Sequence, residues 1–417
     1  MADSTFSLFV GIDWATEAHQ ICLLDPHGQL IRESSVVHSG SAISQFLDWL
    51  IGWAQCPPAA IAVAIEVPRG ALVETMLERG LSVYSINPKQ LDRFRDRYFP
   101  AGAKDDRRDA FVLASSLRTD PHCFHPIRVD DPLVMRLRDL SRLDDQLREN
   151  CNRHCCQLRE QLYRYYPQLL QLCSSANEPW LWDLLEMAST PSIARRLTVA
   201  RIGKLLRTHR IRRLQPADVI DTLRQPGFQL AAGTAEAASE HALLLVPHLR
   251  LIRQQRSTLA ARIQAVLDEL TAPVDASDQC QHRDAAIILS LPGVGRVVAA
   301  TMLAEASQAL AHRDYHALRA YAGCAPITRR SGKKMVVLMR RGCNERLRNA
   351  LYHWSRVSVQ HDLASRQHYH HLRSRGHTHG RALRGVADRL LVVLCAMLRD
   401  GTVYNPARRR TNLQTAA

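Results

Sequence analysis

Apolar residues in the first ~125 positions come in short runs separated by turn chemistry. Phe6–Asp13 (FSLFVGID), Gln20–Leu24 and Gly28–His38 read as three strands, with Asp25-Pro26-His27-Gly28 as the turn before the third. Ser41–Trp53 reads as a helix and Ala60–Glu66 (AIAVAIE) as a fourth strand ending in an acid. Pro68–Arg79 fits a helix with proline in its first turn, and Leu81–Ile86 is a further buried strand. A hairpin-rich start followed by alternating helices and strands predicts an α/β domain with a mixed sheet.

From about Asp131 the period changes to that of an amphipathic helix. Leu133, Leu137, Leu140, Leu143, Leu147, Leu158 and Leu162 recur at helical spacing up to Leu172. A second long helical segment is predicted over Glu236–Leu270, kinked or started at Pro247. The pair reads as an extended arm, either a coiled coil for self-association or a hairpin within one chain. The stretch between them shows no clear chemistry. From about Ala285 the chain is mostly helical again, interrupted by a Gly/Pro/Lys-rich loop over Ala322–Lys334. These changes divide the chain into 1–128, 129–275 and 276–417.

Charge sharpens that division. The 417 residues carry a formal net charge of +15, yet residues 281–417 hold +16 and the remainder −1. The excess predicts a local polyanion-binding surface in the last third. Hydrophobic residues at 46% and charged residues at 23% exclude a largely disordered chain. The N-terminus lacks the basic start of a signal peptide, and the run Leu390–Leu398 falls short of the ~20 residues that span a bilayer, which predicts a cytoplasmic protein away from membranes. Eleven cysteines are an odd number and suggest no disulfide framework. Cys151, His154, Cys155 and Cys156 sit in a helical stretch with no second ligand pair, so they read as structural rather than zinc-binding. The late histidines, His368 to His379, are interleaved with arginine and read as a nucleic-acid-facing surface.

Four acids are candidates for chemistry. Asp13 ends the first strand, Glu66 ends the fourth, and Asp106 and Asp109 share a helical face in KDDRRDA. Crowded carboxylates call for hard cations, and a two-metal Mg²⁺ clamp suits phosphoryl transfer on nucleic acid. GIDWAT also opens actin-like phosphotransferases, but the later Gly-rich phosphate loops these need are missing. Gly293, Gly295 and Arg296 belong to Leu-Pro-Gly-Val-Gly-Arg, a helix-hairpin-helix-like turn that can hold a backbone phosphate. Ser331 lies among Arg329, Arg330, Lys333 and Lys334, and residue types alone favour a phosphate contact over a nucleophile there. Arg340, Arg341, Arg346 and Arg348 extend the cationic set.

In this order, GIDWATEAH, AIEVPRG, KDDRRDA, LPGVGRVVAATMLAE, LRAYAGCAPITRRSGKK and RRGCNERLRNALYHWS resemble the bridge-RNA-guided insertion-sequence transposases. The resemblance implies a RuvC-like (RNase H-like) N-terminal domain with an Asp-Glu-Asp-Asp site, a helical or coiled-coil middle, and a mostly α C-terminal domain. It implies Asp13, Glu66, Asp106 and Asp109 as Mg²⁺ ligands for two ions, with Asp105 competing with Asp106 for the third place. It also raises Ser331 from phosphate contact to nucleophile, and Arg330 stands where many members carry a second serine. The implied partners are donor and target DNA, a structured non-coding guide RNA, and further copies of the chain in a dimer or tetramer, with acids and serine from different protomers. The alternatives are a RuvC-like metal-dependent nuclease that uses water, and a non-enzymatic helix-hairpin-helix DNA-binding protein.

Overall fold

The structure is a computed structural model that describes residues 6–98, 105–128, 131–231, 233–272, 280–332 and 334–406. The chain divides into two compact units, residues 1–130 and 131–417.

In the first unit the order is β1 (Leu8–Asp13), β2 (Ala18–Leu24), β3 (Leu30–Val37), α1 (Gly40–Ala54), β4 (Ile61–Ile65), α2 (Ala71–Glu78), β5 (Ser82–Ser85), α3 (Pro88–Tyr98), α4 (Asp106–Thr119) and β6 (His125–Pro126). The sheet runs β3-β2-β1-β4-β5-β6. The β1–β2 and β2–β3 pairs are antiparallel, β4 and β5 run parallel to β1, and β6 is antiparallel. This is the mixed sheet that the hairpin-rich start predicts. The centre strands are buried on both faces, hence their unbroken apolar runs. Val10, Ile12, Val63 and Ile65 pack under α1 and α2, whereas Phe9, Cys22, Ala62 and Ala64 pack under α4. The α2 helix starts at Ala71, not at the predicted Pro68, because Gly70 at φ +104° breaks helical geometry immediately before it.

The second unit opens with α5 (Pro132–Tyr165), then α6 (Gln168–Leu172), α7 (Pro179–Met187), α8 (Pro191–Ala194), α9 (Val199–Thr208) and α10 (Pro216–Leu223), before α11 (Thr234–Thr271) returns. Asp131 caps α5 by accepting the Leu133 N–H at 2.7 Å, with Pro132 at the first position. The long helices pack against each other within the chain. Arg256 binds Asp144, and the rings of His248 and His154 stack at 5.6 Å, so the pair is antiparallel. Helix α11 runs through Pro247 as one element, with one backbone rung lost there.

The chain continues through α12 (Cys280–Leu289), α13 (Arg296–Ala311), α14 (Tyr315–Tyr321), β7 (Ile327–Ser331), β8 (Lys334–Leu338), α15 (Glu345–His361), α16 (Leu363–Ser374) and α17 (His379–Asp400). The arm belongs to two cores. Leu158, Leu162, Val246 and Leu249 pack with Trp180 and Trp182 from the cap helices α6–α10. Leu137, Ile263 and Leu267 pack with Ile288, Met302, Trp354 and Leu390 from the C-terminal helices. The predicted loop over Ala322–Lys334 is corrected in part, since β7 and β8 form an antiparallel hairpin there. Among the described residues, no helix is long and apolar enough to cross a membrane.

Candidate functional site

Alternation along β1 places Asp13 on the same face as Phe9 and Gly11, the face that α4 covers. Along β4, Ala62 and Ala64 lie on that face, and the same alternation carries Glu66 there, one residue beyond the strand. Ile12 pairs with Ile65 across parallel strands, so Asp13 and Glu66 leave the sheet side by side. Small residues let the helix come close. A Cβ on Gly11 would overlap the Ala110 carbonyl oxygen and lie 2.6 Å from the Ala114 nitrogen. Contact at Gly11 therefore fixes the first turn of α4, with Asp106 and Asp109, beside the end of β1.

The four acids are not equivalent. Asp105 caps α4, accepting the Arg107 N–H at 3.3 Å, and Asp106 is exposed. Asp109 is buried at 3% exposure and takes two hydrogen bonds from Arg95, at 2.6 and 2.8 Å. Those bonds raise the Arg95 pKa. Carboxylate oxygens on neighbouring strand ends and one helix turn suit a hard divalent cation in kind. The disagreement lies at Asp109, where a guanidinium already supplies the positive charge. Among the described residues, no three His, Cys, Asp or Glu side chains are gathered as a metal group. Behind Asp13, His19 is fully buried and its Nε2 lies 2.9 Å from His38 Nδ1. Burial, with the charge of His38 adding to it, lowers the His19 pKa and keeps the ring neutral.

The second group of candidates lies on the β7–β8 hairpin. Ser331 pairs with Lys334 and Arg329 with Val336, so Ser331, Arg329 and Lys334 share one face, with Arg330 on the other. Gly332 at φ +55° provides the left-handed turn after Ser331, which is exposed at the hairpin tip. Among the described residues, no side chain hydrogen-bonds the Ser331 hydroxyl. A shallow hollow here is lined by Arg329, Arg330, Ser331 and Lys334 with Val336 and Leu338. The predicted contact Lys333 lies outside the described residues.

Other predicted cations divide. Gly295 and Arg296 are exposed at the start of α13, and Arg341 is exposed after the hairpin. Gly293, by contrast, is a packing residue: at φ +81° it lies so close to α15 that a Cβ would sit 2.8 Å from the Ser358 nitrogen. Ser358 Oγ and Trp354 Nε1 both donate to the Pro292 carbonyl, at 2.7 and 3.0 Å, which fixes the turn. Arg346 is corrected from a surface contact to an internal one, bonded to Asp145, Glu305 and Ser141. Arg348 likewise donates to Glu345 and the Cys343 sulfur, and Arg340 to the Ala325 carbonyl.

Comparison with known proteins decides the family. The DEDD transposase model of the IS110 group matches residues 10–167, and the model described as "Transposase IS116/IS110/IS902 family" matches residues 285–371. A Streptomyces coelicolor mini-circle protein named as a transposase for IS117 is 32% identical over 426 residues, covering 100% of both chains. The chain belongs to the IS116/IS110/IS902 family of insertion-sequence transposases. A Sinorhizobium fredii protein named as transposase y4uE is 48% identical over 206 residues, which is 49% of this chain and 57% of that relative. A 43.6 kDa protein of insertion element IS110 from Streptomyces coelicolor is 28% identical over 98% of both.

In this transposase-family enzyme, the first match contains all four acids and the second contains the glycine turn and the Ser331 hairpin. Two features of the transposase escaped sequence reading. Arg95 holds Asp109 across 14 residues of sequence, and α3 offers no sign of which of its arginines turns inward. Glu305, 3% exposed in its side chain, joins Arg142 from α5 to Arg346 and Asn344 at the start of α15. Burial works to raise the Glu305 pKa, but hydrogen bonds from Arg142 and Asn344 and the charges of Arg142 and Arg346 hold it below the usual range. A lone acid in an apolar helix (ATMLAEASQ) was the available signal.

Proposed function

We propose that this transposase cuts and rejoins DNA strands through Ser331, with a RuvC-like N-terminal domain as its acidic half. The observation that carries the reading is the exposed Ser331 hydroxyl beside Arg329 and Lys334 on a hairpin within the second family match. Ser331 Oγ gives its proton to solvent as it attacks a backbone phosphorus, an O–P bond to serine forms, and the bond to the leaving sugar oxygen breaks. The leaving oxygen takes up a proton, and a second strand's hydroxyl reverses the step. Arg329 and Lys334 neutralise phosphate charge as the nucleophile approaches. Asp13, Glu66, Asp106 and Asp109 are the residues that would hold Mg²⁺, as two ions. The chemistry such cations supply when bound is charge neutralisation at phosphate oxygens. Capping by Asp105 favours Asp106 for the third place.

Following the family resemblance, specificity comes from a structured non-coding guide RNA, and the middle helices serve assembly with other copies. The test is cleavage and joining of plasmids that carry the element's ends. Ser331→Ala and Asp13→Ala should each abolish both reactions. Cleavage that survives Ser331→Ala but not Asp13→Ala would overturn the serine reading in favour of a water nucleophile.

A further inference from the structure

The cap on the helical arm carries a charge that whole-chain balance hides. No Asp or Glu occurs between Glu186 and Asp218, and the interval holds eight Lys and Arg residues. Helix α9 buries Ile202, Gly203, Leu205 and Leu206 against the cap core. Its opposite side exposes Arg201, Lys204 and Arg207, spaced three residues apart. The flanking turns add exposed Arg195, Arg196, Arg210 and Arg212. Only Arg213 is neutralised among the described residues, by Glu178 at 2.7 Å. Like charges three and four apart destabilise a helix, and ordinary solvated faces relieve this by mixing signs. This face does not.

We propose that the α9 face is a second DNA-holding surface, gripping the backbone of double-stranded DNA without reading its sequence. The inference rests on the transposase reading for its choice of DNA. The composition narrows the partner. Residues 188–224 contain no Phe, Trp or Tyr, so the face offers no aromatic platform for unpaired bases. The apolar side of α9 is buried, and exposed Val199 and Ile193 beside it are too few and too small to anchor the face in a lipid surface. What is left is a set of guanidinium and ammonium groups suited to regularly spaced phosphates.

The experiment titrates the full-length protein with a 30-bp duplex DNA of random sequence and with duplex RNA of equal length, across a salt series. In Arg201→Ala/Lys204→Ala/Arg207→Ala the slope of log K against log salt should fall by about 3, at one unit per phosphate contact. Affinity for the DNA at about 0.1 M salt should drop at least ~10-fold. A second variant, Arg195→Ala/Arg196→Ala/Arg212→Ala, leaves α9 unaltered and should show the same direction, with thermal melts checking that both are folded. Unchanged slope and affinity in both variants would overturn the inference, as would a loss confined to RNA. Wild-type protein that binds no duplex would sink the transposase reading as well, whereas wild-type binding untouched by the substitutions sinks only this one.

Discussion

Gly11→Ala probes how the acidic half is built. Adding one methyl group would bring Cβ onto the Ala110 carbonyl oxygen and within 2.6 Å of the Ala114 nitrogen, where ordinary contact begins at 3.4 Å. Both opposing atoms are main chain of α4, so no side chain can rotate away. The helix must retreat by about 1 Å, loosening Leu113, Ala114 and Leu117 from the sheet. Overpacking of this kind costs about 3 kcal/mol, at the top of its usual range. For a unit of this size, the corresponding shift is roughly 10 °C in the first unit's melting transition. Misplacing Asp106 and Asp109 by about 1 Å should also lower strand cleavage ~100-fold, at temperatures where the variant is still folded. Calorimetry of wild type and variant measures the first effect. Gly52→Ala is the control, because it lies in α1 with nothing within 4 Å of its Cβ, and it should gain about 0.5–1 kcal/mol. A Gly11→Ala melting transition that matches wild type would refute the close approach of α4 to β1.

Three further outcomes follow from the packing. Arg95→Ala leaves a buried Asp109 carboxylate without its partner, which should cost about 3–5 kcal/mol in EDTA and less in excess Mg²⁺. Urea melts with and without the cation measure this, and equal losses in both would argue against Asp109 as a ligand. Glu305→Gln should cost about 3 kcal/mol at neutral pH. Because the folded Glu305 pKa is depressed, its stabilisation is present above the unfolded carboxylate pKa and is lost as pH falls through the folded value. The gap between wild type and variant should therefore narrow on acidification, and a gap constant with pH would contradict the assignment. Gly293→Ala should destabilise by about 2–4 kcal/mol through its positive φ and the Ser358 contact, while Gly295→Ala, with open space at its Cβ, should be near neutral. Equal effects in a denaturant titration would disprove the packing role.

The strands were legible because both faces of β1 and β4 are buried, which leaves continuous apolar runs bounded by turn residues. The β7–β8 hairpin was not, because nearly all of its residues are exposed and no apolar alternation marks it. Asp13, Glu66, Asp106 and Asp109 could be picked from strand ends and helix spacing, and the structure adds Gly11 as the reason α4 lies against β1. What the pattern could not carry was the choice of partners. Arg341 and Arg346 sit five positions apart, yet one faces solvent and the other meets Asp145 and Glu305 from distant helices. The cap's cations were lost for a different reason: averaging over residues 1–280 cancelled them against acids elsewhere.

The nucleophile is tested most directly by isolating protein trapped on a cut DNA end, digesting it, and locating the attached nucleotide by mass spectrometry. Attachment through a phosphodiester at Ser331, lost in Ser331→Ala, is the predicted result. Cut and joined DNA with no covalent protein adduct, or an adduct on a different side chain, would contradict it.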